Sequence, residues 1–211
     1  MDNREISPAV IRRLPRYYRY LGDLLEKGIT RISSLELSEK MSVTASQIRQ
    51  DFNNFGNFGQ QGYGYNVDVL QNEIKKILGL DKKYNLIVLG SGNLGQALLQ
   101  YESFRKRGFI FTALFDNSPA LVGQSVNGLV ISDISELEQY LQDHKVDIAV
   151  FCVPNEEAGK LLETVAHGGV KAIWSFSRID VKKAEELGVK LESLHLTDSL
   201  MTLTYMLNDK Q

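Results

Sequence analysis

At 211 residues the chain has room for one large domain or two small ones. Its 43% hydrophobic and 24% charged residues are ordinary globular values that exclude general disorder, and a single cysteine, Cys152, excludes an intrachain disulfide and a metal-binding thiol pair. The net charge is −2, the opening MDNREISPAV lacks a signal peptide's apolar run, and no stretch approaches 18 apolar residues, so the expectation is a cytoplasmic chain with no membrane or metal partner.

Residues 1–80 carry 11 Lys+Arg against 9 Asp+Glu, and residues 81–211 carry 13 against 17. Within the basic half, Arg12, Arg13, Arg16 and Arg19 stand close together. Three of them share a helical face at i, i+4 and i+7, and a solvated face is the plain alternative. Ser7-Pro8 is a helix opening, with serine as cap and proline pre-set at the first helical position. Pro15 is expected to start a fresh segment, in which Tyr17, Tyr18, Leu21, Leu24 and Leu25 keep a helical spacing until Gly28. Ser33-Ser34-Leu35-Glu36 is a capping box opening a short helix through Met41, and Thr44-Ala45-Ser46-Gln47 is a second one.

After Thr44, the residues Ala45, Ile48, Phe52 and Phe55 form one apolar stripe, leaving Ser46, Gln47, Arg49 and Gln50 outside. Two short helices and a tight turn, the second helix polar at its start, form a helix-turn-helix pattern. Arg and Gln can each make paired hydrogen bonds to guanine or adenine edges. A small helical bundle with a solvated face is the alternative. The run Gly56 to Tyr65 interleaves glycine and aromatic residues and predicts a β-hairpin, which in this position is a wing; a flexible linker is the competing reading. A helix from Asn66 to Leu78 follows, with Val67, Leu70, Ile74 and Leu78 on one side. The first domain therefore spans 1–80, and its candidate DNA-binding residues are Arg12, Arg13, Arg16, Thr44, Ser46, Gln47, Arg49, Gln50, Gln61 and Tyr63.

Asn85 to Leu89 is a buried-strand run, and Gly90-Ser91-Gly92-Asn93-Leu94-Gly95 follows at once, before a helical pattern through Leu94, Ala97, Leu98 and Tyr101. Alone, G-x-G-x-x-G is a weak signal, but a strand-to-helix turn is the context it requires. Its glycines allow a tight turn, backbone approach to a diphosphate and close helix–strand packing, while the helix start offers N–H groups to the phosphates. A second strand, 111–115, ends in Asp116, 21 residues after Gly95. A carboxylate there accepts from ribose hydroxyls and repels a 2′-phosphate, favouring NAD over NADP; a chance acidic strand end is the alternative.

Strand patterns at 129–131, 147–153, 170–175 and 189–191 alternate with helical patterns at 133–141 and 155–167, which describes an α/β, doubly wound parallel sheet over 84–194. Ligands bind where such strands end, so Val153-Pro154 and Ser175-Phe176 are expected on the nicotinamide side of the cleft. Nothing large enough to hold a substrate follows this unit, and no Tyr-x-x-x-Lys pair occurs. His144, His167 and His195 are scattered at helix ends, and Cys152 reads as core. The chain is therefore expected not to be an enzyme. Over 195–211, the helical segment Leu196 to Asn208 holds seven apolar residues in thirteen, wrapping over half of its surface. Either a partner subunit or the chain's own domain must cover it.

Along essentially the whole chain the sequence resembles the Rex family of redox-sensing repressors. The resemblance rests on Arg13-Leu-Pro-Arg-Tyr-Tyr-Arg-Tyr-Leu21, Ser34-Leu-Glu-Leu-Ser38, Gln47-Ile-Arg-Gln-Asp-Phe52, Gly62-Tyr-Gly-Tyr-Asn-Val67, the glycine-rich turn with Tyr101 six residues beyond it, and Leu203-Thr-Tyr205. It implies a winged helix-turn-helix domain joined to an NAD-binding Rossmann domain. It further implies a homodimer whose C-terminal helices swap, and a double-stranded operator that is an A/T-rich inverted repeat. NADH would bind more tightly than NAD⁺ and release that operator. Tyr101 would approach the nicotinamide, and Arg16 would sit at a hinge. The chain departs from the family pattern at Gln60-Gln61 in the wing, at Trp174-Ser175-Phe176-Ser177-Arg178 and at His195, where aspartate is usual and Asp198 could substitute. The rival expectation is a small NAD-dependent oxidoreductase with an incidental helical domain.

Overall fold

The computed structural model describes residues 6–56, 59–60 and 64–208. The chain divides into two compact units, Met1–Lys82 and Lys83–Gln211.

The first unit opens with α1 (Pro8–Glu26). Pro8 stands in its first turn, and the Ser7 carbonyl, not its hydroxyl, takes the N–H groups of Val10 and Ile11. Pro15 does not restart the helix as expected. It sits within one continuous helix on the exposed side, where water can satisfy the carbonyl that its missing N–H leaves free. Gly28 ends the helix at φ +72, its N–H bonded to Leu25 O, a left-handed position that glycine adopts without strain. Next come β1 (Arg31–Ile32), α2 (Ser34–Met41), α3 (Ala45–Asn53), β2 (Gly59–Gln60), β3 (Gly64–Asn66) and α4 (Val67–Ile77).

Ser33 forms both halves of the capping box with Glu36. Thr44 forms only one half: it accepts from Gln47 N–H, while the Gln47 side chain turns to Asp51 instead. The strands form a small antiparallel sheet in the order β1-β3-β2. Periodicity could not anticipate β1, since two residues carry none. Gly64 is required here: at φ +69 an added Cβ would lie 2.7 Å from Ile32 O. Phe52 of α3 packs edge-on against Tyr17 of α1 at 5.0 Å and Tyr65 of β3 at 5.1 Å, joining helix-turn-helix and hairpin through one ring.

The second unit has β4 (Tyr84–Leu89), α5 (Asn93–Leu99), α6 (Glu102–Lys106), β5 (Phe109–Asp116), β6 (Ser125–Val126), β7 (Leu129–Asp133), a 3₁₀ turn (Ile134–Glu136), α7 (Leu137–Asp143), β8 (Ile148–Phe151), α8 (Asn155–His167), β9 (Ala172–Ser175), α9 (Val181–Glu186), β10 (Lys190–Ser193) and α10 (Leu196–Asn208). The sheet runs β10-β9-β8-β4-β5-β7-β6, parallel except for the β6–β7 hairpin. Its order reverses beside β4, as in dinucleotide-binding folds. Strands β4 and β8 are buried on both faces, which is why they read as continuous apolar runs.

The expected single helix through Tyr101 is replaced by two. Helix α5 stops at Leu99, and Tyr101 is the N-cap residue of α6; Gly95 and Leu99, rather than Ala97, are buried. Short α6 and α9 carry too little periodicity to be seen in sequence.

Candidate functional site

Residues at the carboxyl ends of β4, β5 and β8 enclose a cleft of about 290 Å³. It is lined by Gly90, Gly92, Phe115, Asp116, Asn117, Leu121, Ile134, Cys152, Val153, Pro154, Glu157 and Leu161. The three motif glycines have distinct physical reasons. Gly90 turns at φ +94, and a Cβ there would lie 2.6 Å from the Cys152 carbonyl oxygen. A Cβ on Gly95 would lie 2.1 Å from the Gly90 carbonyl oxygen, so only glycine lets α5 approach the strand end. Gly92 is different: a Cβ there would meet no protein atom within 4 Å. Packing does not demand this glycine, and its bareness leaves backbone open toward the cleft, as a diphosphate requires.

The carboxylate of Asp116 is tied into the same turn. Oδ2 accepts from the Ser91 N–H at 2.6 Å and the Ser91 hydroxyl at 2.8 Å, and Oδ1 accepts from Ser118 N–H at 2.8 Å. Burial pushes this carboxyl up, but the bonds from Ser91 and Ser118 outweigh burial and hold it below its usual range. Asp116 is thus an anion at neutral pH, with Oδ1 retaining acceptor capacity for a ribose hydroxyl. Glu157, in the first turn of α8, adds a second carboxyl group to the cleft. These features fit an NAD-type dinucleotide: open backbone for the diphosphate, and an Asp116 carboxylate that disfavours a 2′-phosphate.

Of the sequence-selected residues, Gly90, Gly92, Asp116, Val153 and Pro154 line the cleft together. Ser91 is buried and supports Asp116; Asn93, Leu94 and Gly95 form the start of α5. Ser175 does not reach the cleft as expected. It is fully buried, its hydroxyl donating to Ser177 O at 2.8 Å, while the Ser177 hydroxyl donates to Val153 O. Ser175 and Ser177 therefore brace the Val153 side of the cleft from behind. Phe176 instead packs on Trp174 at 4.8 Å. Tyr101 is also apart from the cleft, in a groove with Phe104, Phe109 and Phe111, because α5 has already ended.

Cys152, read as core, packs against the apolar core and also lines the cleft just past β8. Burial pushes its thiol up to about 12, so it is neutral and a poor nucleophile. Asn117 and Glu157 were missed, although following Asp116 and lying in the first turn of α8 are signals the strand-end rule could have used. The histidines stay outside: His144 stacks on Tyr140 at 4.1 Å, and His195 precedes α10. Among the described residues there is no cluster of metal-ligating side chains and no helix long and apolar enough to cross a membrane.

In the first unit, α2 and α3 are joined by a three-residue turn whose Ser42 takes the left-handed conformation at φ 53. Ser46, Arg49 and Gln50 are exposed on α3, with Thr44 as its cap. Arg49 donates to the Ser34 hydroxyl at 2.8 Å, an exposed bond that is easily exchanged. Arg12 and Arg16 are exposed, Arg16 donating to Met41 O at 2.9 Å. Arg13 and Gln47 are not free as expected: both grip Asp51, Arg13 at 2.6 and 2.7 Å and Gln47 at 2.9 Å. A buried carboxylate draws in every donor within reach, since an unpaired buried charge costs several kcal/mol, on the order of 3–5. Gln61 and Tyr63 lie outside the described residues.

The family model described as "Putative DNA-binding protein N-terminus" matches residues 5–53, and one described as "CoA binding domain" matches residues 81–179. The redox-sensing transcriptional repressor Rex of Thermoanaerobacter pseudethanolicus is 53% identical over 207 residues, covering 98% of this chain and 92% of that protein. The crystal structure of RSP in complex with β-NAD⁺ and operator DNA superposes with a TM-score of 0.90 at 52% identity, covering 97% of this chain and 94% of RSP. RSP in complex with β-NADH gives 0.88 at 50% identity, over 97% and 95% of the two chains. The winged helix-turn-helix, the Rossmann sheet and identity of this order over nearly the full length make the chain a member of the Rex family of redox-sensing transcriptional repressors.

Proposed function

We propose that this chain represses transcription by binding operator DNA as a homodimer and leaves it when NADH fills the Rossmann cleft. The carrying observation is the cleft itself: open backbone at Gly92 beside an Asp116 carboxylate that Ser91 orients, in a chain 52% identical to a repressor solved with NAD⁺ and operator DNA. Ser46, Arg49 and Gln50 are the base-reading candidates, and Arg12 and Arg16 the phosphate-binding ones. The set for the dinucleotide is Gly90 to Gly95, Asp116, Val153 and Pro154. The dinucleotide is a signal and not a reactant, a reading supported by 53% identity over 207 residues to a redox-sensing transcriptional repressor. The cytoplasm is the compartment we favour, since a repressor must share a compartment with the DNA it binds.

The dimer is supported by α10. All seven of its apolar residues are between 50% and 76% exposed, so the chain's own domain does not cover them. Exchange of α10 between subunits is the arrangement we favour. Full switching between DNA-bound and released states needs a ligand preference of about 10⁴-fold for one of them.

The test is a fluorescence-anisotropy titration of the protein on a DNA duplex selected from a random pool. NADH lowers the affinity and NADPH has little effect; no NADH effect ends the sensor reading. The description of the second matching family model favours one alternative, a CoA-type nucleotide as signal. Displacement of fluorescent bound NADH by CoA at comparable concentration would support it.

A further inference from the structure

Asp51 is the only fully buried charged side chain among the described residues. It lies on α3, on the arc that Ile48 and Phe52 turn toward α1. Four donors converge on it: the Arg13 guanidinium through Nε at 2.6 Å and Nη2 at 2.7 Å, the Tyr17 hydroxyl at 2.8 Å, and the Gln47 amide at 2.9 Å. Burial raises the carboxyl, but the bonds from Arg13, Gln47 and Tyr17 hold it below its usual range, so it stays ionised.

A buried ion pair is often no more stabilising than apolar residues of equal volume, because desolvation offsets its attraction. What it supplies is direction. Ile48 and Phe52 hold α3 through apolar contacts, which have no preferred direction, so alone they restrain its rotation about its axis less sharply than hydrogen bonds do. For side chains carried about 6 Å from the axis, a rotation of about 15° moves their tips by roughly 1.5 Å, more than the whole 2.7–3.2 Å hydrogen-bond window allows. A forked bond to Arg13 combined with Tyr17 and Gln47 admits one rotation only.

We propose that Asp51 is a positioning residue for sequence specificity: by gripping Arg13, Tyr17 and Gln47 it locks the rotation of α3, so that Ser46, Arg49 and Gln50 meet base edges in a single register. This rests on the DNA-reading proposed above. It also reassigns Arg13 and Gln47 from DNA contact to support of the reading helix. Phosphate attraction is far less directional, so the exposed Arg12, Arg16 and Arg19 hold random DNA whether or not α3 is locked. A specific-to-random affinity ratio therefore separates positioning from mere folding.

The experiment uses the full-length protein and a duplex that the wild type enriches from a random pool, with a shuffled duplex of equal length beside it. Asp51→Asn is expected to bind the enriched duplex about 10- to 100-fold more weakly, the loss typical of one or more mispaired positions. Its affinity for the shuffled duplex stays within about twofold, and so does its NADH titration. Tyr17→Phe, buried where no DNA can touch it, removes one grip and gives a smaller loss of the same kind. An unchanged ratio in Tyr17→Phe and Asp51→Asn overturns the proposal. So does a parallel loss on both duplexes that tracks loss of folded protein. If Asp51→Asn does not fold, the ratio for Tyr17→Phe alone decides. Failure of the wild type to enrich any duplex overturns the DNA-reading itself.

Discussion

Ser91 gives Asp116 two hydrogen bonds, from its backbone N–H at 2.6 Å and its hydroxyl at 2.8 Å, both to Oδ2. The carboxylate proposed to select the ribose is thereby anchored to the middle of the glycine-rich turn. Asp116→Asn removes the charge that repels a 2′-phosphate while keeping the shape. We expect the NADH-over-NADPH preference to shrink by about tenfold or more, since like charges in contact cost several kcal/mol and 1.4 kcal/mol is tenfold. Fluorescence titration with both nucleotides measures it; an unchanged ratio removes Asp116 from ribose recognition.

Gly92 and Gly95 should respond oppositely to the same substitution. Gly92→Ala meets no protein atom and should unfold at the wild-type temperature while binding NADH at least several-fold more weakly. Gly95→Ala drives a Cβ against the Gly90 carbonyl and should lose stability itself, by about 1–3 kcal/mol or more. Thermal melts paired with NADH titrations separate the two, and equal behaviour would contradict the close-approach account.

The pH dependence of stability should carry the signature of Asp51. Its folded pKa is depressed relative to about 3.9 in the unfolded chain. The carboxylate's contribution is thus complete above about pH 4 and is lost as pH falls through the folded value. Asp51→Asn should be less stable than wild type at pH 7, with the gap closing in acid; a gap independent of pH would show that the charge is not what matters. Asp51→Ala, which strands Arg13, should cost about 3 kcal/mol.

Arg49→Ala removes an exposed guanidinium whose internal partner is the Ser34 hydroxyl. Binding to the selected duplex should weaken by about 1–3 kcal/mol, with relaxed preference at one base position, and NADH affinity should not change. Anisotropy on single-base variants of the duplex reads this out, and a uniform loss across all variants would mark Arg49 as a phosphate contact.

Leu203→Glu places a charge on the exposed apolar face of α10. If that face joins two subunits, sedimentation should show self-association weakened by about tenfold or more, as for a buried interface anchor. A wild-type chain that sediments as a monomer would remove the dimer.

Much of this protein was legible in its sequence because the relevant physics is local. The box at Ser33 and Glu36 and the helix ending at Gly28 depend on neighbours within a turn, and the glycine-rich turn depends on the strand immediately before it. The apolar runs of β4 and β8 announce strands buried on both faces. What tertiary structure alone decided is which distant groups meet. Asp51 looks like one more charge on α3 until folding sets it against Arg13, 38 residues earlier. Ser175 looks available until Ser177 turns its hydroxyl inward. Cys152, Asn117 and Glu157 reach one cleft only because β4, β5 and β8 end side by side. Periodicity records which face of an element is apolar, but a buried polar side chain takes its role from the donors that packing brings within hydrogen-bond reach.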